Sequence, residues 1–400
     1  MMLTDTELHR YADVLFWGLE TARKKKFNTN DIILIQYERP ALKLAEILFK
    51  KILERGFNPI QRMVGTSGME KTFYSLSNNK QLRFIPPGEK ELFSHLHGRF
   101  FLRAPESLSH LKDVNPAKIG KALVVRKQLR DILDAREEKG LYGWTLCMLP
   151  TRELVQHART TPARYTSQII RACYLDRDNP VNEWESMYTQ MQEIKRWLNS
   201  LKIEYLYIES DKIDLRVRFG EKRKWAGISG HNIPSFEIFF SPDWRGTEGT
   251  YYANLPSFRS GNYVEEIYLT FKKGSVVNME AKTGAHFAYT QLTIDKGASK
   301  VGEFSLTDKR FSRIDRFMAD TLFDENFGGA HGNCHIALGA SYTTTYDGNP
   351  ANLTKKIKEQ LGFNDSALHW DLVNTEKKCV TAHLSDGRKV TLYDDGVFTY

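Results

Sequence analysis

The hydrophobic period of the chain changes near residue 185, and this change constrains the fold more than any other feature. Before it, helical spacing alternates with short apolar segments that favour strands. The order strand, helix, strand at residues 31–36, 40–55 and 59–64 is typical of an α/β domain. We therefore expect an N-terminal α/β domain with a mainly parallel sheet. Further elements are a helix at 4–23, a helix at 116–138 and a strand at 144–149.

After this point the chain consists of short strand-like segments separated by Gly, Asn and Pro turns, which predicts a strand-rich α+β domain. Strands are predicted at residues 204–209, 214–219, 235–240, 267–271 and 275–281. A long amphipathic helix at 183–201 bridges the halves, so the domains are predicted to span 1–185 and 186–400. Because no GxGxxG follows a strand, a dinucleotide-binding domain is not predicted.

Composition indicates in which cellular compartment the protein is expected and whether it binds nucleic acid or a membrane. The four cysteines are far apart and form no CxxC pair, which fits a reducing cytoplasm. The net charge of +8 over 400 residues is mild, and the short basic runs at 23–26 and 222–224 are typical of solvated surfaces. No segment approaches the roughly 20 apolar residues of a membrane span, and the N-terminus lacks a secretory pattern. We expect a cytoplasmic protein that binds neither nucleic acid nor membrane.

Residues suited to metal binding are concentrated in the second half. His369 and Asp371 form an H-x-D pair, and on a strand residues i and i+2 point to the same face, so both can reach one ion. His335 follows a glycine-rich segment and begins a short apolar stretch, where a lone histidine is more often a residue of the core than a ligand. His331 and His335 have the i, i+4 spacing of a helical zinc pair, but the glycine and asparagine between them disfavour a helix.

Three glutamates add oxygen donors to these imidazoles. Glu237, Glu303 and Glu325 are embedded in apolar segments. A buried acid is costly unless it is paired or bound to a cation, and the alternative is that each one faces solvent on an alternating strand. Together with the histidines and Asp371, they form the donor set of a two-metal site, and such donors suit zinc, cobalt or manganese.

The order of these motifs resembles that of the aminopeptidase T family of two-metal aminopeptidases. The matching segments are Asn232-Ile233-Pro234 followed by Glu237, Gly302-Glu303-Phe304, residues 322–326 with Glu325, residues 335–339 with Tyr342, and His369-Trp370-Asp371. The resemblance extends nearly end to end. It departs from the family where Ser-Phe precedes Glu237, and where the segment between Glu325 and His335 is longer and richer in Gly and His. The second departure leaves the role of Glu325 open. It also leaves open whether His331 is a further ligand.

The resemblance implies a metal-dependent aminopeptidase that acts on peptides with a free N-terminus. It implies two divalent ions, of zinc, cobalt or manganese, bound by Glu237, Glu303, Glu325, His335, His369 and Asp371. Glu303 is expected to act as general base and Tyr342 to donate to the oxyanion. The N-terminal domain is expected to form a homodimer and to narrow access to the site.

Two other functions use the same residue types. A two-metal phosphoesterase would need a phosphate cradle, such as a Gly-rich turn at a helix N-terminus or an arginine clamp. Arg245 and Arg310 lie near the acids in sequence, but they form no recognisable cradle. A non-catalytic peptide-binding protein on the same fold is the other alternative, and the amount of bound metal distinguishes it from an enzyme.

Overall fold

The computed structural model of the chain describes residues 3–400. The chain divides into two compact units. The first contains the residues up to Tyr188 together with Ile228–Ser235, and the second contains Thr189–Gly227 and Phe236–Tyr400. The return of Ile228–Ser235 to the first unit has no counterpart in the sequence periodicity. The units are described separately below.

The first unit alternates helices with strands. In chain order these are α1 (Asp5–Ala22), β1 (Ile32–Tyr37), a 3₁₀ turn (Arg39–Ala41), α2 (Leu42–Glu54), β2 (Asn58–Met63), α3 (Ser67–Leu76), α4 (Asn79–Leu82), α5 (Glu89–His95), β3 (Gly98–Arg103), α6 (Pro116–Glu138), β4 (Gly143–Met148), α7 (Arg152–His157) and α8 (Pro162–Ala172). The next helix, α9 (Pro180–Ser200), begins in the first unit and ends in the second. Among residues 3–400, no helix combines the length and the apolar character that crossing a membrane requires.

The strands of the first unit form one sheet in the order β2-β1-β3-β4, and every pair is parallel. The interior strand β1 is an almost unbroken apolar run, as expected for a parallel strand covered on both faces. A capping box starts α1, in which Thr4 and Glu7 satisfy each other's backbone N–H groups. The predicted α/β fold with a parallel sheet is confirmed.

The second unit is rich in strands. Its elements after α9 are β5 (Ile203–Glu209), β6 (Asp214–Arg218), β7 (Ala226–Gly227), β8 (Glu237–Phe240), a 3₁₀ turn (Trp244–Gly246), β9 (Glu248–Ala253), β10 (Ser257–Arg259), β11 (Asn262–Lys272), β12 (Ser275–Thr283), α10 (Ala285–Leu292), β13 (Val301–Thr307), α11 (Thr321–Asp324), β14 (Asn333–Gly339), two 3₁₀ turns (Thr343–Thr345 and Pro350–Asn352), α12 (Lys355–Gln360), β15 (His369–Asn374), β16 (Cys379–Leu384), β17 (Lys389–Asp394) and β18 (Val397–Phe398). The predicted strand-rich architecture is confirmed.

These strands form two sheets. The larger has nine strands, in the order β10-β11-β9-β6-β5-β16-β17-β18 with β12 paired to β11. The smaller has the order β15-β14-β13-β8-β7, with antiparallel pairing throughout. The sheets contact each other through Tyr251, whose hydroxyl donates to the carbonyl of Leu372 at 2.8 Å. Every residue of β8, β13 and β14 is buried, so charged side chains on these strands are withdrawn from water.

Candidate metal centre

The five-stranded sheet brings residues that are distant in sequence onto one face. Thr307 on β13 pairs with Glu237 on β8, and Ser305 on β13 pairs with His335 on β14. His335 in turn pairs with Val373 on β15. Cross-strand partners project from the same face of a sheet, and so do residues two apart along one strand. This face therefore presents five of the predicted ligands: Glu237, Glu303, His335, His369 and Asp371.

Three of these side chains form a tight buried cluster. His335 Nε2 lies 3.3 Å from Glu237 Oε2 and 3.2 Å from Glu303 Oε1. One ligand atom from each residue lies within 4.8 Å of the other two. Ser305 orients the first carboxylate, since its hydroxyl donates to Glu237 Oε2 at 2.9 Å. An ion placed here would meet two carboxylate oxygens and one imidazole nitrogen.

A second pair adjoins this cluster. His369 Nε2 lies 3.3 Å from Asp371 Oδ1 and 3.8 Å from Glu303 Oε2. The other ring nitrogen, Nδ1, lies 2.9 Å from the carbonyl oxygen of Ala340. Because a carbonyl can only accept, Nδ1 carries a proton, and Nε2 is the ring nitrogen directed toward the acids. The carboxylate of Glu303 therefore lies between two imidazoles.

Glu325 joins the same surroundings despite the longer segment that separates it from His335. It is the buried residue that follows α11. Burial raises its pKa well above the usual range, and the charges of Asp371, Glu237 and Glu303 raise it further. The Glu325 carboxyl is therefore close enough to these acids for their charges to act on it. The tight group of three donor atoms is formed by Glu237, Glu303 and His335.

The crowding of acids shifts the pKa values of the cluster in opposite directions. Burial and the charge of Glu303 raise the pKa of Glu237 to about 7. Burial alone would lower the pKa of His335, but its hydrogen bond to Glu303 and the surrounding acids raise it to about 9. Burial would raise the pKa of Asp371, but the charge and hydrogen bond of His369 lower it to about 2. A buried excess of carboxylates is the environment that a divalent cation neutralises.

The donor atoms also fit a metal ion in their hydrogen bonding. Glu303 Oε2, one of the candidate donor atoms, is buried and has no hydrogen-bond partner. Buried polar atoms are nearly always paired, so such orphans require a reason. Carboxylate oxygen and imidazole nitrogen are the donors that zinc and similar divalent ions accept. The residues present therefore fit a divalent metal.

Tyr342 lies beside this cluster. Its ring centroid is 4.7 Å from that of His369 and 6.0 Å from that of Phe239. Its backbone N–H donates to the hydroxyl of Ser241 at 2.8 Å, which anchors the turn after β14. The ring remains partly exposed, so a bound substrate can approach it.

His331 is not part of the cluster. Its Nδ1 lies 2.5 Å from Asp395 Oδ1, and both side chains are partly exposed. The i, i+4 spacing with His335 has no structural meaning here, because β14 begins at Asn333 and the residues before it are not helical. His331 is therefore not one of the residues that the structure gathers at the site.

The sequence analysis did not single out several residues that support the ligands. Ser305 and Thr307 share the face of β13 with Glu303, and this i, i+2, i+4 series was a signal available in the sequence. Asn326 accepts the backbone N–H of Phe236 at 2.5 Å, which joins the end of α11 to the start of β8. Arg259 donates to the carbonyl of His369 at 2.7 Å. Neither of the last two contacts follows from local sequence.

A buried set of carboxylates and imidazoles on one sheet face is a donor set that suits a divalent metal ion. The chain belongs to the thermophilic metalloprotease (M29) family, which matches residues 4–398. Membership implies a divalent metal cofactor and confirms the predicted family.

Similar proteins agree with this assignment. Aminopeptidase 2 of Geobacillus stearothermophilus is 27% identical over 308 residues, which cover 72% of this chain and 73% of the relative. Aminopeptidase T of Thermus aquaticus is 29% identical over 269 residues, which cover 64% of this chain and 62% of the relative. The solved structure of wild-type AmpT from Thermus thermophilus superposes with a TM-score of 0.77 at 21% identity, covering 98% of this chain and 99% of that one. The last comparison establishes the shared fold.

Proposed function

We propose that this chain is a metal-dependent aminopeptidase, which releases the N-terminal residue of a peptide by activating water. The observation that carries the proposal is the buried cluster of Glu237, Glu303 and His335, adjoined by His369 and Asp371. It occurs in a chain of the M29 metalloprotease family, and the relatives described above are named aminopeptidases.

The ligands divide into two groups that share one residue, which supports a pair of ions. Glu237 and His335 lie on one side of Glu303, and His369 and Asp371 lie on the other. Glu325 is the sixth proposed ligand. A bound pair of zinc, cobalt or manganese ions lowers the pKa of water and polarises a carbonyl. The protein holds these donor side chains in fixed positions, and it buries Glu237, Glu303 and His335 away from bulk solvent.

Glu303 is the proposed general base. Its carboxylate lies between two imidazoles and retains one oxygen without a hydrogen-bond partner. That oxygen can take the proton from the attacking water and return it to the leaving amine. Ser305 supports the arrangement, because its hydroxyl holds the neighbouring Glu237 carboxylate in place.

Tyr342 is the proposed donor to the oxyanion. Its ring lies beside His369 at the accessible edge of the cluster. A hydroxyl aimed at the position where negative charge develops stabilises the transition state more than the ground state. The free amine of the substrate is recognised at the same acidic cluster, so cleavage is confined to the first peptide bond.

Further proposals concern assembly and location. We propose that the first unit forms a homodimer and narrows access to the site. In support, it exposes large apolar side chains that include Met69, Leu76 and Phe84. The four cysteines are all unpaired, which supports a reducing location such as the cytoplasm.

One experiment tests the reaction and its main rival. Purified protein is analysed for bound metal and assayed against aminoacyl nitroanilides, their N-acetylated forms and nitrophenyl phosphate. We expect cleavage of the free aminoacyl compounds only, abolished by a chelator and restored by zinc, cobalt or manganese. A phosphoesterase would cleave the phosphate. Arg245 and Arg310 argue against that outcome, because their guanidinium groups are engaged by Asp243 and Asp308. Full activity in metal-free protein would refute the proposal.

A further inference from the structure

Thr307, at the end of β13, contacts three segments that carry proposed ligands. It is the cross-strand partner of Glu237 on β8 and of Asn333 on β14. Asn333 stands two residues before His335 on the same strand. The Thr307 hydroxyl donates to the backbone carbonyl of Glu325 at 3.3 Å. The position of this one residue is therefore coupled to the spacing of three ligands.

A tyrosine from the larger sheet holds Thr307 in place. Tyr393 lies on β17 and is fully buried. Its hydroxyl oxygen is 2.7 Å from the carbonyl of Thr307, and 3.4 Å from the carbonyls of His331 and Asn333. A hydroxyl has one hydrogen, so the short contact to Thr307 takes it. Tyr393 thus binds the point where β13 ends and where the chain enters β14.

The segment that precedes β14 is shaped around this hydroxyl. Gly332 has φ +55°, and a Cβ there would lie 2.0 Å from the Tyr393 hydroxyl and 2.4 Å from the Thr307 carbonyl. Only glycine can occupy this position with the tyrosine in place. His331 is held nearby by Asp395, which lies in the turn after β17. The hairpin of β17 and β18 therefore fixes the segment that separates Glu325 from His335 in the sequence.

We propose that Tyr393 is a positioning residue of the metal centre that acts through Thr307. Its hydroxyl fixes the end of β13 and thereby the spacing of Glu237, Glu325 and His335. The inference rests on the proposed metal site, and it assigns a role to a hydroxyl that touches none of the proposed ligand side chains. Removing a residue that orients metal ligands without binding the metal itself typically weakens metal affinity by about 10–100-fold.

The test uses Tyr393→Phe in the full chain, with cobalt(II) as the probe. The protein is stripped with a chelator, and cobalt(II) is titrated while its visible absorption spectrum is recorded. We expect cobalt(II) to bind about tenfold or more weakly, with a changed spectrum, because the ligands relax. Tyr11→Phe is the matched control. Tyr11 is buried in the first unit and its hydroxyl donates to the carbonyl of Met148 at 3.2 Å, so it loses the same kind of bond. It should keep the wild-type affinity and spectrum.

A second pair of variants tests the path through Thr307. Thr307→Val removes the hydroxyl that binds the Glu325 carbonyl and should weaken cobalt(II) binding, whereas Thr307→Ser should restore it. Wild-type affinity and spectrum in Tyr393→Phe would overturn the role, and so would an equal loss in Tyr11→Phe, which would indicate a general loss of stability. If the unaltered protein binds no cobalt(II), the proposed metal site is itself refuted, and this role with it.

Discussion

His369 and Asp371 project from the same face of β15, with the imidazole Nε2 3.3 Å from the carboxylate Oδ1. The pair depends on local geometry alone, because residues two apart on a strand share a face. What the fold adds is the third partner. Glu303, on a different strand, places its Oε2 3.8 Å from the same imidazole nitrogen. A pair that occurs by chance in many sequences thereby becomes part of a buried donor set.

Replacing Asp371 with Asn tests this donor set. The amide keeps the size of the side chain but removes its charge, which replaces an anionic ligand by a weaker neutral oxygen. We expect loss of most bound metal and most peptidase activity, measured by elemental analysis and turnover on the same preparation. Asp386→Asn is the control, because Asp386 lies in an exposed turn, paired with Arg388. Stoichiometric metal and normal turnover in the Asp371 variant would contradict its role as a ligand.

Tyr342→Phe separates catalysis from packing. The variant keeps the ring beside His369 and should keep fold and metal content. If the hydroxyl stabilises the oxyanion, kcat and kcat/KM fall together by about 10²–10³-fold while KM changes little. Tyr346→Phe, in the same turn region, should leave the kinetics unchanged. A Tyr342→Phe enzyme that turns over within about threefold of wild type, well short of one oxyanion donor, would leave this tyrosine a packing role.

Metal binding should release protons. In the metal-free protein the pKa of His335 is raised to about 9, so its ring is protonated at neutral pH, and Glu237 with a pKa of about 7 is partly protonated. A metal must displace these protons, so its affinity should rise between about pH 6 and pH 9, by about tenfold per pH unit for each proton displaced. Above this range the gain should level off. Titration calorimetry in buffers of different ionisation enthalpy measures the released protons, and a pH-independent affinity would contradict the prediction.

Lys378→Met should stabilise the fold. Lys378 is buried, and its Nζ has no hydrogen-bond partner. Burial lowers its pKa, which means that the fold disfavours the charged form that the unfolded chain carries at neutral pH. The fold is therefore destabilised at pH values below the ordinary lysine pKa, where the unfolded chain carries the charge. The destabilisation disappears when the pH rises above that pKa, because lysine is then neutral in both states. We expect the free energy of unfolding to rise by about 1–3 kcal/mol near pH 7, and by less near pH 10.

Denaturant unfolding at the two pH values measures this change. Lys50→Met provides the comparison, because Lys50 is an exposed lysine on α2 that pairs with Glu54 at the surface. Its removal should change the free energy of unfolding little at either pH. A Lys378→Met protein that is less stable than wild type at pH 7 would show that the ammonium group has a partner in solution.

Local sequence was sufficient where periodicity is strong. The predicted strand at residues 31–36 corresponds to β1 at Ile32–Tyr37, and the predicted helix at 116–138 corresponds to α6. No element was predicted between residues 65 and 115, where the structure places α3 to α5 and β3. These helices are short, and a helix of one to three turns repeats its apolar spacing too few times to be recognised.

The sequence by itself determined which residues were available for chemistry and in what order, because motif order and the side-chain period of a strand are local properties. Tertiary structure decided which of them meet. Glu237, Glu303 and His335 lie on three strands, and they converge because β8, β13 and β14 pair in one register. A slip of one residue would turn each of them to the other face of the sheet. The same pairing separates His331 from His335, although the two are close in sequence, because strand contacts between distant segments, rather than spacing along the chain, set the distances within the site.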